Sequence, residues 1–153
     1  MSCNQWRAYR DLAWTEAIVA SPELYAEESE RFVSAIKKHA LIKTETLLHL
    51  GCGAGCNDFT FKQHFKVTGV DLSKDMLAIA RNRNPEVRYI SGDMRTLNLE
   101  ERFDSVAIPD SIMHMASKED LEMAVATAVH HLKPGMLLIV SHLKEEFREN
   151  NFV

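Results

Sequence analysis

Five short apolar runs, at residues 46–50, 67–71, 87–91, 103–109 and 137–142, alternate with segments of helical character at 57–65, 73–82 and 117–132. Runs this short, bounded by glycine, aspartate or proline, read as strands buried on both faces. Strands that alternate with helices predict an α/β fold: a doubly wound, mostly parallel sheet with helices on both faces. Ahead of the first run, Ser21, Pro22 and Glu23 form a helix start, with a cap residue, a proline at the first helical position and an acid in the first turn. Tyr25, Phe32, Val33 and Ile36 then recur at helical spacing, so a first amphipathic helix runs to about His39. Ser117 with Asp120 predicts a capped start for the last helix, and Lys133-Pro134-Gly135 a stop. The polar connection at 92–102 is expected to be a loop or a short helical turn.

In such a sheet, ligands bind beyond the carboxyl ends of the strands, where the strand order reverses. The residues at those ends are of one kind. The first run feeds into LLHLGCGAGCND, which holds Gly51, Gly53 and Gly55 of the chain's six glycines. The second ends at Asp71, the third runs into Gly92-Asp93-Met94, and the fourth ends at Pro109-Asp110-Ser111. Glycines admit backbone angles and a closeness of approach that a Cβ forbids, and the next helix aims its N-terminal amides at whatever sits there. Asp71 lies eighteen residues beyond Gly53, where the acid that binds a ribose hydroxyl falls in dinucleotide-type folds. Each feature taken alone is also ordinary turn or cap chemistry. Their coincidence at four successive strand exits implies a ligand that contains a nucleoside.

Composition narrows the partners. With 153 residues, 46% of them hydrophobic and 26% charged, the chain is sized for one domain over 1–153, with a helical segment at 1–40 and a core at 44–142. A formal charge of −4 offers no basic stripe for a phosphate backbone, so a small molecule is expected rather than nucleic acid. No apolar run reaches the roughly eighteen residues of a membrane span, and the opening MSCNQWRAYRDLAW lacks a signal peptide's apolar segment. A cytoplasmic protein is expected. Cys3, Cys52 and Cys56 make no disulfide framework, and no second pair at ligand spacing accompanies Cys52 and Cys56, so no metal is expected.

Taken together, LLHLGCGAG, VTGVDLSKDMLAIAR, YISGDMR, FDSVAIPDSIMHM and HHLKPGMLLIV resemble, in order, the five motifs of the class I S-adenosylmethionine-dependent methyltransferases, over about residues 44–142. YRDLAW followed by SPELYAEE resembles the N-terminal region of small-molecule methyltransferases, including those that methylate amino sugars. The resemblance implies a Rossmann-like fold and S-adenosylmethionine as cofactor. By the family pattern Gly51, Cys52 and Gly53 lie against the methionine part and Asp71 binds both ribose hydroxyls. Leu72 and Met76 pack on the adenine, Asp93 accepts from its amino group and Met94 meets the ring. Ile108, Pro109 and the residues up to Ser111 pass near the sulfonium. Tyr9 reaches the cofactor from the lid region. The nicotinamide fingerprint G-x-G-x-x-G needs glycine at position 56, which is Cys56 here.

Two departures stand out. His49 occupies the place where LLDLGCG-like sequences carry an acid that helps hold the cofactor's ammonium end. A neutral imidazole there can accept a hydrogen bond and a protonated one repels, so pH-sensitive cofactor affinity is expected. The family carries seven strands, and the final two-strand hairpin is not recognisable in this sequence. An uncovered fifth strand invites a homodimer through the exposed sheet edge. For the chemistry, methyl transfer to an N or O atom of a small molecule needs positioning first and a base second. His114, matching the second of the paired histidines often found after the family's fourth strand, is the first candidate base, and Asp110 the second. His130 and His131 read as surface residues at a helix end. The alternatives are a cofactor-binding scaffold without turnover and a nicotinamide-dependent oxidoreductase.

Overall fold

The structure, a computed structural model, describes residues 12–141. Tyr9 and the tail of the 137–142 run lie outside the described residues. In chain order the elements are α1 (Ala13–Val19), α2 (Pro22–His39), β1 (Thr46–Leu50), α3 (Cys56–Phe61), β2 (Lys66–Asp71), α4 (Lys74–Arg83), β3 (Arg88–Ser91), β4 (Phe103–Pro109), a 3₁₀ turn (Ser111–His114), α5 (Lys118–His130) and β5 (Leu132–Val140). The five strands form one sheet in the order β3-β2-β1-β4-β5. Every neighbouring pair is parallel. The order reverses between β1 and β4, so the crevice expected of a doubly wound sheet opens above their carboxyl ends.

Alternation along the strands sorts the core into two layers. Leu47 and Ala107 face a layer built from Phe32, Val33 and Ile36 of α2, Phe61 of α3 and Leu77 and Ala80 of α4. Leu48, Leu50, Val106 and Ile108 face the other way, onto Ala124 and Ala128 of α5. β4 is buried along its whole length, as a strand covered on both faces must be.

The junction of α5 and β5 differs from expectation. β5 begins at Leu132 and takes Lys133-Pro134-Gly135 into the strand, where a register irregularity lets four residues of β5 advance while β4 advances two. β5 is an outer strand, so Pro134 is tolerated there. Gly135 is required: a Cβ on it would stand 1.6 Å from the Asp104 carbonyl oxygen. The Asp104 carboxylate staples this end of the sheet. It accepts from the amides of Glu45 and Thr46 at 3.0 and 2.8 Å, from Thr46 Oγ1 at 2.9 Å and from Lys133 Nζ at 2.9 Å. Burial pushes against ionisation, but these donors outweigh it and hold the carboxyl at about 2.

His131 is also not a surface residue. It is fully buried, with Nδ1 2.7 Å from the Thr127 carbonyl and Nε2 2.8 Å from the Leu99 amide. The carbonyl can only accept and the amide only donate, so the ring is neutral with its proton on Nδ1. It ties the 92–102 connection to the end of α5.

Candidate functional site

A cleft of about 340 Å³ lies at the reversal point, within the range of small-molecule sites, roughly 300–1,000 Å³. It is lined by the glycine loop, by Asp71 and Leu72 after β2, by Gly92 to Arg95 after β3, and by Pro109 to Ser111 with His114 after β4. The four exits singled out in the sequence therefore meet in one place.

The loop is shaped by its glycines. Gly51, Gly53 and Gly55 all have positive φ, between 53° and 73°. At Gly51 a Cβ would stand 2.3 Å or less from Ser111 Oγ and Cβ and 2.9 Å from Met94 Cε, so the first and fourth exits pack directly on each other. At Gly53 a Cβ would meet no protein atom within 4 Å. Its missing side chain leaves the peptide bare beside the cleft, which is what close approach of a ligand needs.

Asp71 joins the first and second exits. Its Oδ2 accepts from the Gly53 amide at 2.8 Å and its Oδ1 from the Ser73 amide at 2.8 Å. Two backbone donors fix the carboxylate plane and leave each oxygen a lone pair free for a neighbouring diol. Ser73 then caps α4, accepting from the Met76 amide at 3.2 Å, so the helix start sits beside the carboxylate.

At the third exit Asp93 is bound to Arg95, whose amide, Nε and Nη2 all donate to its carboxylate. Those bonds keep the Asp93 carboxyl below the ordinary range, and together with Asp120 they raise the guanidinium's own value. Arg95 Nη1 reaches Asp120 Oδ1 at 2.8 Å, tying the third exit to the start of α5. At the fourth exit Asp110 has φ 56°, and it is the only described residue other than glycine with positive φ. A non-glycine residue held there on a cleft wall is strained backbone of the kind that clusters at functional sites. It opens the 3₁₀ turn that carries His114 to the cleft.

Of the residues expected from the sequence, Gly51, Cys52, Gly53, Asp71, Leu72, Asp93, Met94, Pro109, Asp110 and His114 line the cleft. Met76, Ile108 and His49 do not. Met76 is buried beneath the loop against Ala13 and Ala54. Ile108 faces α5, because alternation turns it away from the mouth that Pro109 reaches. His49 lies 1% exposed behind the loop, with Nδ1 2.6 Å from Asp58 Oδ1 and its ring edge-on to Phe61. Its hydrogen-bond partner is a buried carboxylate of α3, not a group in the cleft. The Tyr89 hydroxyl donates to the other oxygen of Asp58 at 2.9 Å, and burial together with the Asp58 charge pushes that phenol well up, so it remains a donor. Cys52 is likewise pushed well up, by burial first and then by Asp58 and Asp71, so its thiol stays protonated.

Sequence reasoning missed Tyr25, Asn57, Arg95, Met115 and Asp120, which also line the cleft. Arg95 and Asp120 were legible only as a polar connection and a helix cap. Asp120 does both: its amide donates to Ser117 Oγ at 3.1 Å while its carboxylate holds Arg95.

Residues 47–135 match the family model described as "Methyltransferase domain". The dTDP-3-amino-3,6-dideoxy-alpha-D-glucopyranose N,N-dimethyltransferase of Streptomyces fradiae is 35% identical over 118 residues, covering 76% of this chain and 46% of that protein. A Streptomyces venezuelae enzyme, dTDP-3-amino-3,4,6-trideoxy-alpha-D-glucopyranose N,N-dimethyltransferase, is 33% identical over 118 residues, 76% of this chain and 49% of its own. Among solved structures, CalS10 with bound SAM, an amino pentose methyltransferase from Micromonospora echinaspora, superposes with a TM-score of 0.75 at 33% identity, covering 80% of this chain and 52% of the other. The chain spans about half the length of these curated relatives. Matched along more than half of its length to the methyltransferase model, and superposing on a solved methyltransferase with a TM-score of 0.75, the chain belongs to the class I S-adenosylmethionine-dependent methyltransferase family.

Proposed function

We propose that this chain binds S-adenosylmethionine in the cleft and methylates an amine nitrogen of a small molecule, an amino sugar being the first class to test. The single observation that carries the cofactor half is Asp71, held by the Gly53 and Ser73 amides with lone pairs to spare, beside a loop whose side chains are absent where the ligand must approach. The donor set fits: one oriented carboxylate for a vicinal diol, the apolar Leu72, 56% exposed, for a purine face, and bare peptide at Gly51 to Gly53 for an amino acid moiety. Asp93 keeps acceptor capacity for an exocyclic amine beyond its bonds to Arg95.

The charge of the lining supports the amine half. Asp71, Asp93, Asp110 and Asp120 face the cleft, against one guanidinium, Arg95, that two of them already hold. Such a site attracts cationic partners and disfavours carboxylate or phosphate at the reacting end. The names of the relatives, all amino sugar N,N-dimethyltransferases among the first three, point the same way.

When bound, S-adenosylmethionine supplies a methyl group on a positively charged sulfur. An acceptor amine held in the cleft would offer its lone pair to that methyl group, and the sulfur would keep the electrons of the C–S bond. The chain's part is to align acceptor and donor and exclude water, worth several kcal/mol. His114, carried to the cleft by the 3₁₀ turn, then takes the proton that the methylated nitrogen sheds.

The test is methyl transfer from labelled S-adenosylmethionine to amino sugars, with hydroxyl-only sugars and carboxylic acids in parallel. Label in the amines alone supports the proposal; label in the hydroxyl or carboxyl compounds alone replaces the amine assignment. Cofactor binding with no transfer to any acceptor would identify a scaffold of the same fold. No helix among the described residues is long and apolar enough to cross a membrane, which accords with a cytoplasmic role. The homodimer belongs to the same proposal: β5 is an outer strand of the sheet formed by the described residues, and its Ile139 is exposed. A monomer at high concentration in light scattering would refute it.

A further inference from the structure

We infer that Arg83 is a positioning residue that makes cofactor binding at the glycine loop and docking of the α1–α2 corner a single coupled event. The inference rests on the proposal that the loop holds S-adenosylmethionine, and adds how that grip is set from behind.

Arg83 ends α4 and does not line the cleft. Its Nη1 donates to the Ala54 carbonyl at 2.8 Å and lies 2.8 Å from Cys56 Sγ, so it holds the loop and the first residue of α3. Its Nη2 donates to the Ala20 carbonyl at 3.0 Å. Ala20 stands between the end of α1 at Val19 and the start of α2 at Pro22. Cys56 Sγ also reaches the Ala20 carbonyl, at 3.7 Å. One planar guanidinium thus spans two segments far apart in the chain, and its fork is rigid, so the two cannot shift independently without losing bonds.

The neighbouring residue completes the hold. Asn84 donates from Nδ2 to the Gly55 carbonyl at 2.9 Å and to the Tyr89 hydroxyl at 3.0 Å. Packing is closed there as well: a Cβ on Gly55 would stand 2.6 Å from that hydroxyl. The loop is therefore gripped near both ends of α4, by Asp71 at the end of β2, which the Ser73 amide holds, and by Arg83 and Asn84 where α4 stops.

The other half of the link is the N-terminal corner. Ala13 of α1 packs on Ala54 and Met76, directly beneath the loop. α2 brings Tyr25 to the cleft wall. A ligand that fixes the Gly51 to Gly53 peptide fixes the Ala54 carbonyl, and through Arg83 the Ala20 carbonyl and the wall that α2 supplies. Coupling between binding events is reciprocal, so an undocked corner loosens the grip on the ligand by the same factor.

The experiment uses the full chain, S-adenosylhomocysteine as probe, calorimetry for affinity and amide hydrogen exchange for the 12–21 peptide. In the wild type the probe binds and slows exchange in that peptide. Arg83→Met, which keeps the stem and removes the fork, binds the probe at least tenfold more weakly and loses the probe-dependent slowing. Arg83→Lys, which keeps the charge and reaches fewer acceptors, falls between the two. Wild-type binding without any change at 12–21 overturns the coupling and leaves the cofactor assignment standing. Absence of wild-type binding overturns both. If Arg83→Met fails to fold, the wild-type exchange and the Lys variant still decide: Lys affinity and protection equal to the wild type's contradict the role of the fork.

Discussion

The Gly53 amide and the Asp71 carboxylate meet at 2.8 Å, and this bond joins the first two strand exits into one binding surface. Glycine is needed twice in the loop, for different reasons. Gly53→Ala adds a methyl that meets no protein atom but enters the space beside the cleft, at a cost in stability of about 1 kcal/mol for its positive φ. Gly51→Ala drives a methyl into Ser111 and Met94 and is expected to cost on the order of 3 kcal/mol. Thermal melts and probe titrations of the pair should show Gly53→Ala near the wild type in stability but at least about tenfold weaker in binding, an affinity loss of about 1.4 kcal/mol.

Gly135 and Asp104 determine whether β5 can join the sheet. A methyl 1.6 Å from a backbone carbonyl cannot be accommodated by rotating a side chain, so Gly135→Ala must push the strands apart. A loss of about 3 kcal/mol or more is expected, read as a lowered urea midpoint or as insoluble protein.

Asp104 predicts a pH dependence. Its folded value, about 2, lies below the ordinary aspartate value of about 3.9, so its contribution to stability is fully present above the latter and disappears as pH falls through the former. Urea unfolding between about pH 4 and pH 2 should show wild-type stability falling across that window. Asp104→Asn, with nothing to titrate there, should start less stable and lose less over the same window.

His114 stands at the cleft on the strained turn begun by Asp110, and its proposed part is proton removal rather than cofactor binding. His114→Ala should therefore lower kcat by about 100-fold, the lower range for a general base, while leaving affinity for S-adenosylhomocysteine within about twofold. Parallel loss of both would make it a binding residue instead.

Much of the fold was legible because parallel strands buried on both faces read as short apolar runs. The four runs from 46 to 109 fall on β1 to β4 within a residue at each end. β5 was misread at its start because Lys133-Pro134-Gly135 has the chemistry of a helix stop, and only the edge position and the bulge opposite Asp104 allow those residues into a strand. The site was legible at the strand exits, where glycine and aspartate carry local signals. It was not legible where a side chain's direction decides. His49 belongs to the loop motif in sequence, yet it points to Asp58 on the helix side of the sheet. Arg95 and Asp120, twenty-five residues apart, meet because the 92–102 connection is tied back to α5, by Thr127 Oγ1 on the Arg95 carbonyl and by His131 on the Leu99 amide.

The most direct test of the central claim is calorimetric titration of the chain with S-adenosylhomocysteine, beside NAD, for the wild type and Asp71→Ala. Asp71 offers two charge-assisted bonds, so the wild type should bind S-adenosylhomocysteine and not NAD, and Asp71→Ala should bind it at least about 100-fold more weakly, with its fold intact by circular dichroism. Wild-type protein that takes up no S-adenosylhomocysteine, or an Asp71→Ala variant that binds it as well as the wild type, would contradict the account.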